Sequence, residues 1–76
     1  MVKMKNIKQD GHLVHFDGYI NGHENEHFTM TVDLNDSSKS VASIEKNGYT
    51  GMAMMEIMFY AARHNKLPNE LVAMTV

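Results

Sequence analysis

The most constraining feature of this sequence is an alternation of apolar and polar side chains in residues 26–34, which is strict from His27 to Leu34. The apolar positions are Phe28, Met30, Val32 and Leu34, and every residue between them is polar. Side chains of a β-strand point alternately to its two faces, so this pattern predicts a strand with one buried and one solvated face. Such a strand needs neighbouring strands and a layer that covers its apolar face.

Two further strands are predicted before this one. Residues 2–8 form the first and residues 12–21 the second, and Gln9-Asp10-Gly11 lies between them. A three-residue loop that ends with glycine in the left-handed region would place Met4 opposite Phe16. With residues 26–34 these segments predict a three-stranded antiparallel meander. The second strand would contribute to its buried face Val14, Phe16 and Ile20.

Residues 37–47 fit two different elements. A short helix capped by Asp36 or Ser38 is one interpretation. A strand over residues 40–46, with Asn47-Gly48 as a hairpin turn, is the other. We favour the short helix, because the segment that follows begins like a helix rather than like a returning strand.

The main helix is predicted over residues 51–64. Thr50 suits the N-cap, Asn65 suits a left-handed residue after the helix, and Pro68 prevents a long continuation. One stripe of this helix has the i, i+3, i+7, i+10 spacing of a face that packs on a core, and it consists of Met52, Met55, Phe59 and Ala62. The side chains expected to meet in one core are Phe16, Phe28, Met30, Val32 and Phe59.

The fold class that follows is α+β, with residues 1–76 forming a single domain. The expected architecture is an antiparallel meander sheet of three to four strands, covered on one face by one long helix and by the short helix. Residues 71–76 are β-prone and read as the last strand, which could join its own sheet or that of a partner. The element order is β-β-β-(α)-α-β.

A second apolar strip on the main helix predicts a contact surface. It consists of Met54, Ile57, Met58 and Ala61, so the helix is apolar over a wider arc than a single sheet needs. Three explanations remain open: cover from other parts of the same chain, a homodimer interface, or a methionine-lined groove for another protein. Self-association is the partner relationship that we expect, because a domain of 76 residues buries little surface and often gains stability from a second copy.

Composition narrows the classes of function. The chain has no cysteine, which in so small a protein points to a reducing compartment, and we expect it in the cytoplasm. No apolar run approaches the length of a signal peptide core or of a membrane span, and we therefore expect no membrane association. The net charge of −2 argues against non-specific nucleic-acid binding, which usually relies on an excess of positive charge.

The sequence carries no motif that requires a cofactor or catalysis. It has no phosphate-binding glycine loop, no nucleophile elbow and no metalloprotease motif, and we expect a protein that is not an enzyme and needs no cofactor. The five histidines lie at turns, on the solvated sheet face and at the helix end, without the spacing of a metal site. The run Asp33-x-Asn35-x-Ser37 resembles the start of a calcium loop but lacks its glycine and its final glutamate. No tight metal site is expected.

The leading hypothesis is therefore a small non-enzymatic interaction or regulatory module, homodimeric through the methionine-rich helix. One alternative is single-stranded nucleic-acid binding on the outer sheet face, where Lys3 and Lys5 accompany Tyr19. Two carboxylates predicted on the same face, Asp17 and Asp33, argue against it. A small histidine-based metal-binding protein is the other alternative.

Overall fold

In the computed structural model, which describes residues 1–74, five antiparallel strands form one sheet, with a helix packed on one face. The strands are β1 Val2–Asp10, β2 Leu13–Ile20, β3 His27–Asp33, β4 Val41–Ala42 and β5 Leu71–Ala73, and the helix is α1 Gly48–Arg63. Their order across the sheet is β4-β3-β2-β1-β5. The predicted α+β class and meander are confirmed, but the sheet has five strands instead of three to four.

The hairpin of β1 and β2 closes through a shorter turn than predicted. Gly11 and His12 form a two-residue loop, and Gly11 has a φ of 62° at the position where a type II′ turn places glycine. Such turns match the twist of the two strands better than the three-residue loop. The predicted register is therefore wrong: Met4 pairs with Gly18 rather than with Phe16.

A β-bulge interrupts β1 and also changes the register. Asn6 and Ile7 together stand opposite the single residue Phe16. Asn6 adopts a φ of 56°, a left-handed conformation that asparagine tolerates better than most residues. The extra residue reverses the faces of the positions that follow, so that Ile7 is buried and Lys8 points to the outer face.

Between β3 and α1 the chain forms a single 3-10 turn and a very short strand. The 3-10 turn covers Ser37–Lys39, and the side chain of its N-cap Asp36 accepts a hydrogen bond from the Ser38 amide. β4 follows and pairs with β3. The favoured short helix is thus wrong beyond Lys39. The alternative, a strand over residues 40–46, is correct only for the two residues of β4.

Two serine hydroxyls complete the contact between this segment and β3. Ser40 Oγ accepts a hydrogen bond of 2.9 Å from the Asp33 amide, and Ser43 Oγ accepts one of 2.8 Å from the Thr29 amide. Backbone amides that point out of a sheet edge need acceptors, and these hydroxyls supply them on either side of β4.

Helix α1 begins three residues earlier than predicted because Asn47, not Thr50, caps it. The Asn47 side chain accepts a hydrogen bond from the Thr50 amide at 3.0 Å, and Thr50 Oγ1 accepts one from the Asn47 amide at 2.9 Å. This reciprocal pair is a capping box, in which both residues satisfy free amides of the first turn. Thr50 therefore lies inside the helix.

The end of the helix is close to its predicted position but has another conformation. The last helical residue is Arg63, and His64 follows with an extended φ of −133°. Asn65 is not left-handed, since the non-glycine residues with positive φ in the described chain are Asn6 and Asn21.

The core lies between α1 and the inner face of the sheet. Phe16 and Phe28 meet edge to face, with their ring centroids 6.3 Å apart. The ring of Phe28 also covers Gly18, its cross-strand partner, so closely that a Cβ on Gly18 would collide with it. The buried apolar residues are Val2, Met4, Ile7, Val14, Phe16, Phe28, Met30, Val32, Ala53, Ile57 and Ala73. Four of the five predicted core residues are confirmed, and Phe59 is wrong because it is 51% exposed.

The last described strand joins the chain's own sheet. β5 lies at the edge opposite β4 and pairs antiparallel with the start of β1. Ala73 points inward and is buried, while Val72 and Met74 are exposed. The predicted strand 71–76 is thus seen over its first three residues, and Thr75 and Val76 lie outside the described residues.

Candidate interaction surfaces

Helix α1 places its smaller side chains against the sheet. Thr50, Ala53 and Ile57 are buried completely or nearly so, at the i, i+3, i+7 spacing of one helix face. Small residues at the centre of a helix face let its backbone approach the sheet closely, which favours this face over one with methionine and phenylalanine. Met54 and Met58 lie beside it and are partly buried against the core.

The opposite face of α1 is apolar and open to solvent. We call it the outer helix stripe, and it consists of Met52, Met55, Phe59 and Ala62. Phe59 is 51% exposed and Met55 is 45% exposed, while Met52 is partly buried. Exposed apolar surface that continues along one helix face is typical of interaction sites. The stripe was predicted as the core face, and that prediction is wrong for Met55, Phe59 and Ala62, whereas Met52 packs against the core.

The residues predicted to form the contact surface lie mainly against the chain's own sheet. Ile57 has no accessible surface, and Met54, Met58 and Ala61 are each partly buried. Beside Met58 and Ala61 a shallow apolar hollow of about 290 Å³ reaches Leu34 and Ala62. The structure therefore places most of the predicted contact strip inward and most of the predicted core stripe outward. The sequence signal that distinguishes them is the size of Thr50 and Ala53.

The outer face of the sheet carries a hydrogen-bonded polar cluster around Asp17. Asn6 Nδ2 donates to Asp17 Oδ2 at 2.8 Å, and His27 Nε2 lies 3.2 Å from Asp17 Oδ1. The hydrogen bond from Asn6, and then that from His27, lowers the pKa of the Asp17 carboxyl below its ordinary value of 3.8. Asn6 reaches Asp17 because the bulge places it on this face.

The lowered pKa gives a testable pH dependence. Because Asp17 has a lower pKa in the folded chain than in the unfolded chain, its interactions stabilise the fold fully above the unfolded pKa. That contribution is lost as the pH falls through the folded pKa. In Asn6→Ala the pKa of Asp17 should rise towards 3.8, as followed by NMR titration of the side-chain carboxyl. Asn35→Ala, two residues beyond the end of β3, is the control. An equal rise of the Asp17 pKa in both variants would contradict the assignment of the shift to Asn6.

Asp33 does not belong to this outer cluster, although it was predicted on the same face. It is 7% exposed, and its Oδ1 accepts hydrogen bonds from the amides of Asn35 and Asp36 at 2.9 and 3.1 Å. Its Oδ2 lies 3.7 Å from His12 Nε2. The run that resembles a calcium loop is thus a turn organised by the Asp33 carboxylate.

The histidines occupy separate places in the structure. His15 Nδ1 lies 2.8 Å from Thr31 Oγ1, and the His64 ring stacks on Tyr60 with the centroids 4.2 Å apart. His27 contacts Asp17, and His23 lies in the turn after β2. Within residues 1–74, no three histidine, aspartate or glutamate side chains are grouped as metal ligands would be. No helix in the same range is long and apolar enough to cross a membrane.

Comparison of the chain with models of protein families, with curated proteins and with solved structures gives no match. The function is therefore inferred from the two surfaces just described: the outer helix stripe and the polar outer face of the sheet.

Proposed function

We propose that this protein is a non-enzymatic interaction module that pairs with a second copy of itself through the outer helix stripe. The observation that supports the proposal is the exposure of Phe59 and Met55 on a helix whose other face already fills the core. In a monomer about half of the Phe59 side chain stays in water. A second copy would remove it from water.

The magnitude of this burial predicts a weak dimer. Complete burial of a methionine or phenylalanine side chain contributes about 1.5–3 kcal/mol relative to full exposure. Since Met55 and Phe59 are about half buried already, the remaining gain is roughly 1 kcal/mol for each, or roughly 4 kcal/mol over two copies. This only offsets the lower estimates for the cost of association, about 4 kcal/mol. The affinity of the dimer therefore depends on additional contacts made by the residues beside the stripe.

One flank of the stripe carries complementary charges. Glu56 and Arg63 lie seven residues apart on the same side of α1, and the Arg63 guanidinium is 5.9 Å from the centroid of the Phe59 ring. If two copies of α1 pair antiparallel about a two-fold axis near Phe59, Glu56 of each copy faces Arg63 of the other. In a two-fold interface every contact occurs in two symmetry-related copies, so the dimer would contain two such ion pairs.

The experiment is a measurement of mass against concentration. Light scattering after size exclusion should show a mass above the 8.6 kDa of one chain that rises with loading up to about 1 mM. Phe59→Glu should abolish the rise. Val41→Glu is the matched control, because Val41 is an equally apolar residue, 60% exposed, on the outer face of the sheet. If the wild-type protein has the mass of one chain at the highest concentration, the proposed dimer is contradicted.

A charge exchange tests the antiparallel arrangement separately. Glu56→Arg and Arg63→Glu should each weaken the dimer, because each brings like charges together across the axis. The double variant should recover most of the loss, since the opposite charges then face one another again. If the double variant is as weak as the two single changes combined, the stripe pairs in another orientation.

A further inference from the structure

Three lysines lie along β1 on the outer face of the sheet. Lys3 and Lys5 point outward by the alternation of the strand, and the bulge at Asn6 and Ile7 brings Lys8 to the same side. Two strand residues span about 6.7 Å, which separates Lys3 from Lys5, and Lys8 follows three residues after Lys5 across the bulge, so that the three lysines form one row along the strand. Without the bulge, Lys8 would point toward the core.

An aromatic platform stands beside this row. The Tyr19 and His27 rings lie against each other, with centroids 4.9 Å apart and planes 31° apart. Lys5 Nζ is 5.5 Å from the centroid of the Tyr19 ring, and His27 Nε2 lies 3.2 Å from Asp17 Oδ1. Tyr19 is partly exposed and His27 is exposed.

The charge of this face differs from that of the chain. Although the net charge is −2, the outer face carries the three lysines against Asp10 and Asp17, and the Asp17 carboxylate is already bonded to Asn6 and His27. Asp33 faces its own loop instead, and Asp10 lies at the hairpin end of β1. The lysines therefore form a positively charged row on an acidic protein, and such a row attracts anionic ligands.

A polar hollow of about 400 Å³ lies between the lysine row and β3. It is open to solvent, and Phe16 and Met30 also line it. Its side chains supply both donors and acceptors, as the edge of a nucleobase requires. Those that can hydrogen-bond to a ligand are Asn6, Lys8, His15, Asp17, Thr29 and Thr31.

We propose that the outer sheet face binds single-stranded nucleic acid. Lys3, Lys5 and Lys8 contact successive phosphates, one base stacks on the platform of Tyr19 and His27, and a neighbouring base enters the polar hollow. Stacking on aromatic side chains requires unpaired bases, and this selects a single strand over a duplex. The outer helix stripe is on the other side of the molecule, so this binding goes beyond the proposed self-association and does not depend on it.

Fluorescence anisotropy with labelled oligo-dT and oligo-U of about 12 nucleotides tests the proposal. Three phosphate contacts predict that the logarithm of the binding constant falls with the logarithm of salt concentration with a slope of about −2. Lys5→Gln and Lys8→Gln should each make the slope shallower by about 0.7. Lys46→Gln, an exposed lysine in the segment before α1, is the matched control and should leave the slope unchanged.

Two tyrosine variants test the stacking. Tyr19→Ala should weaken binding by about 5- to 150-fold, whereas Tyr19→Phe keeps the ring and should bind nearly as well as the wild type. Circular dichroism shows whether each variant remains folded. Equal binding of single strand and duplex, equal effects of Lys8→Gln and Lys46→Gln, or wild-type affinity in a folded Tyr19→Ala would each overturn the proposal. Loss of binding in both tyrosine variants alike would also overturn it, since the ring is present in one of them.

Discussion

Replacing Ile57 by alanine should lower the free energy of unfolding by about 2–5 kcal/mol, because it opens a cavity where α1 meets the sheet. Phe59→Ala removes more atoms but should cost less than about 1 kcal/mol, since half of that side chain is already in water. Urea denaturation followed by circular dichroism, at a concentration at which the chain is monomeric, measures both.

This pair of variants decides which face of α1 is the core face. The sequence allows either face, and only the structure places Ile57 inward. A larger loss for Phe59→Ala than for Ile57→Ala would show that the helix is rotated by about half a turn. The outer helix stripe would then be the core, and the proposed dimer interface would lose its basis.

Gly18→Ala should destabilise the fold by about 1–3 kcal/mol or more, because the new Cβ collides with the ring of Phe28. Both residues lie in the central part of the sheet, where the backbone has little freedom to move apart. Gly51→Ala is the matched control. No atom lies within 4 Å of the position of its Cβ, and alanine should stabilise the helix by about 0.5–1 kcal/mol.

The two glycine substitutions thus have opposite predicted signs, and thermal or urea unfolding separates them directly. The double variant Gly18→Ala, Phe28→Leu should be less destabilised than the sum of its single changes, since the smaller side chain makes room for the new methyl group. Strict additivity would show that Gly18 is not confined by Phe28.

The sequence predicts the central strands well because their pattern has one simple cause. Phe28, Met30 and Val32 alternate with polar residues, and burial on a single face explains all of them at once. The helix is also predicted, but its orientation is not. Both stripes of α1 have apolar residues at helical spacing, so the pattern does not distinguish them. The same pattern led to the prediction that Thr50 is a polar N-cap, whereas it is a small residue of the core face.

Structural features that depend on only one or two residues, such as β4, are not predicted by the pattern of apolar and polar residues. Two residues of β4 are too few to produce a period, and only pairing with β3 makes them a strand. The bulge is visible in the sequence. The buried residues Val2 and Met4 are two positions apart, but the next buried residue, Ile7, follows after three. That break in spacing moves Lys8 to the outer face, and a third lysine there favours nucleic-acid binding over a merely solvated surface.

The short edges of the sheet have a consequence for fibril formation. Long unpaired edge strands let further chains add to a sheet one after another, and such growth leads to amyloid. Within residues 1–74, β4 and β5 have only two and three residues with which a further strand could pair, and the hydroxyls of Ser40 and Ser43 already accept hydrogen bonds from outward amides of β3. β3 is therefore protected along much of its edge and β1 over Val2–Met4, while Lys5 and Lys8 place charges on the rest of the β1 edge, which also discourages the addition of further strands.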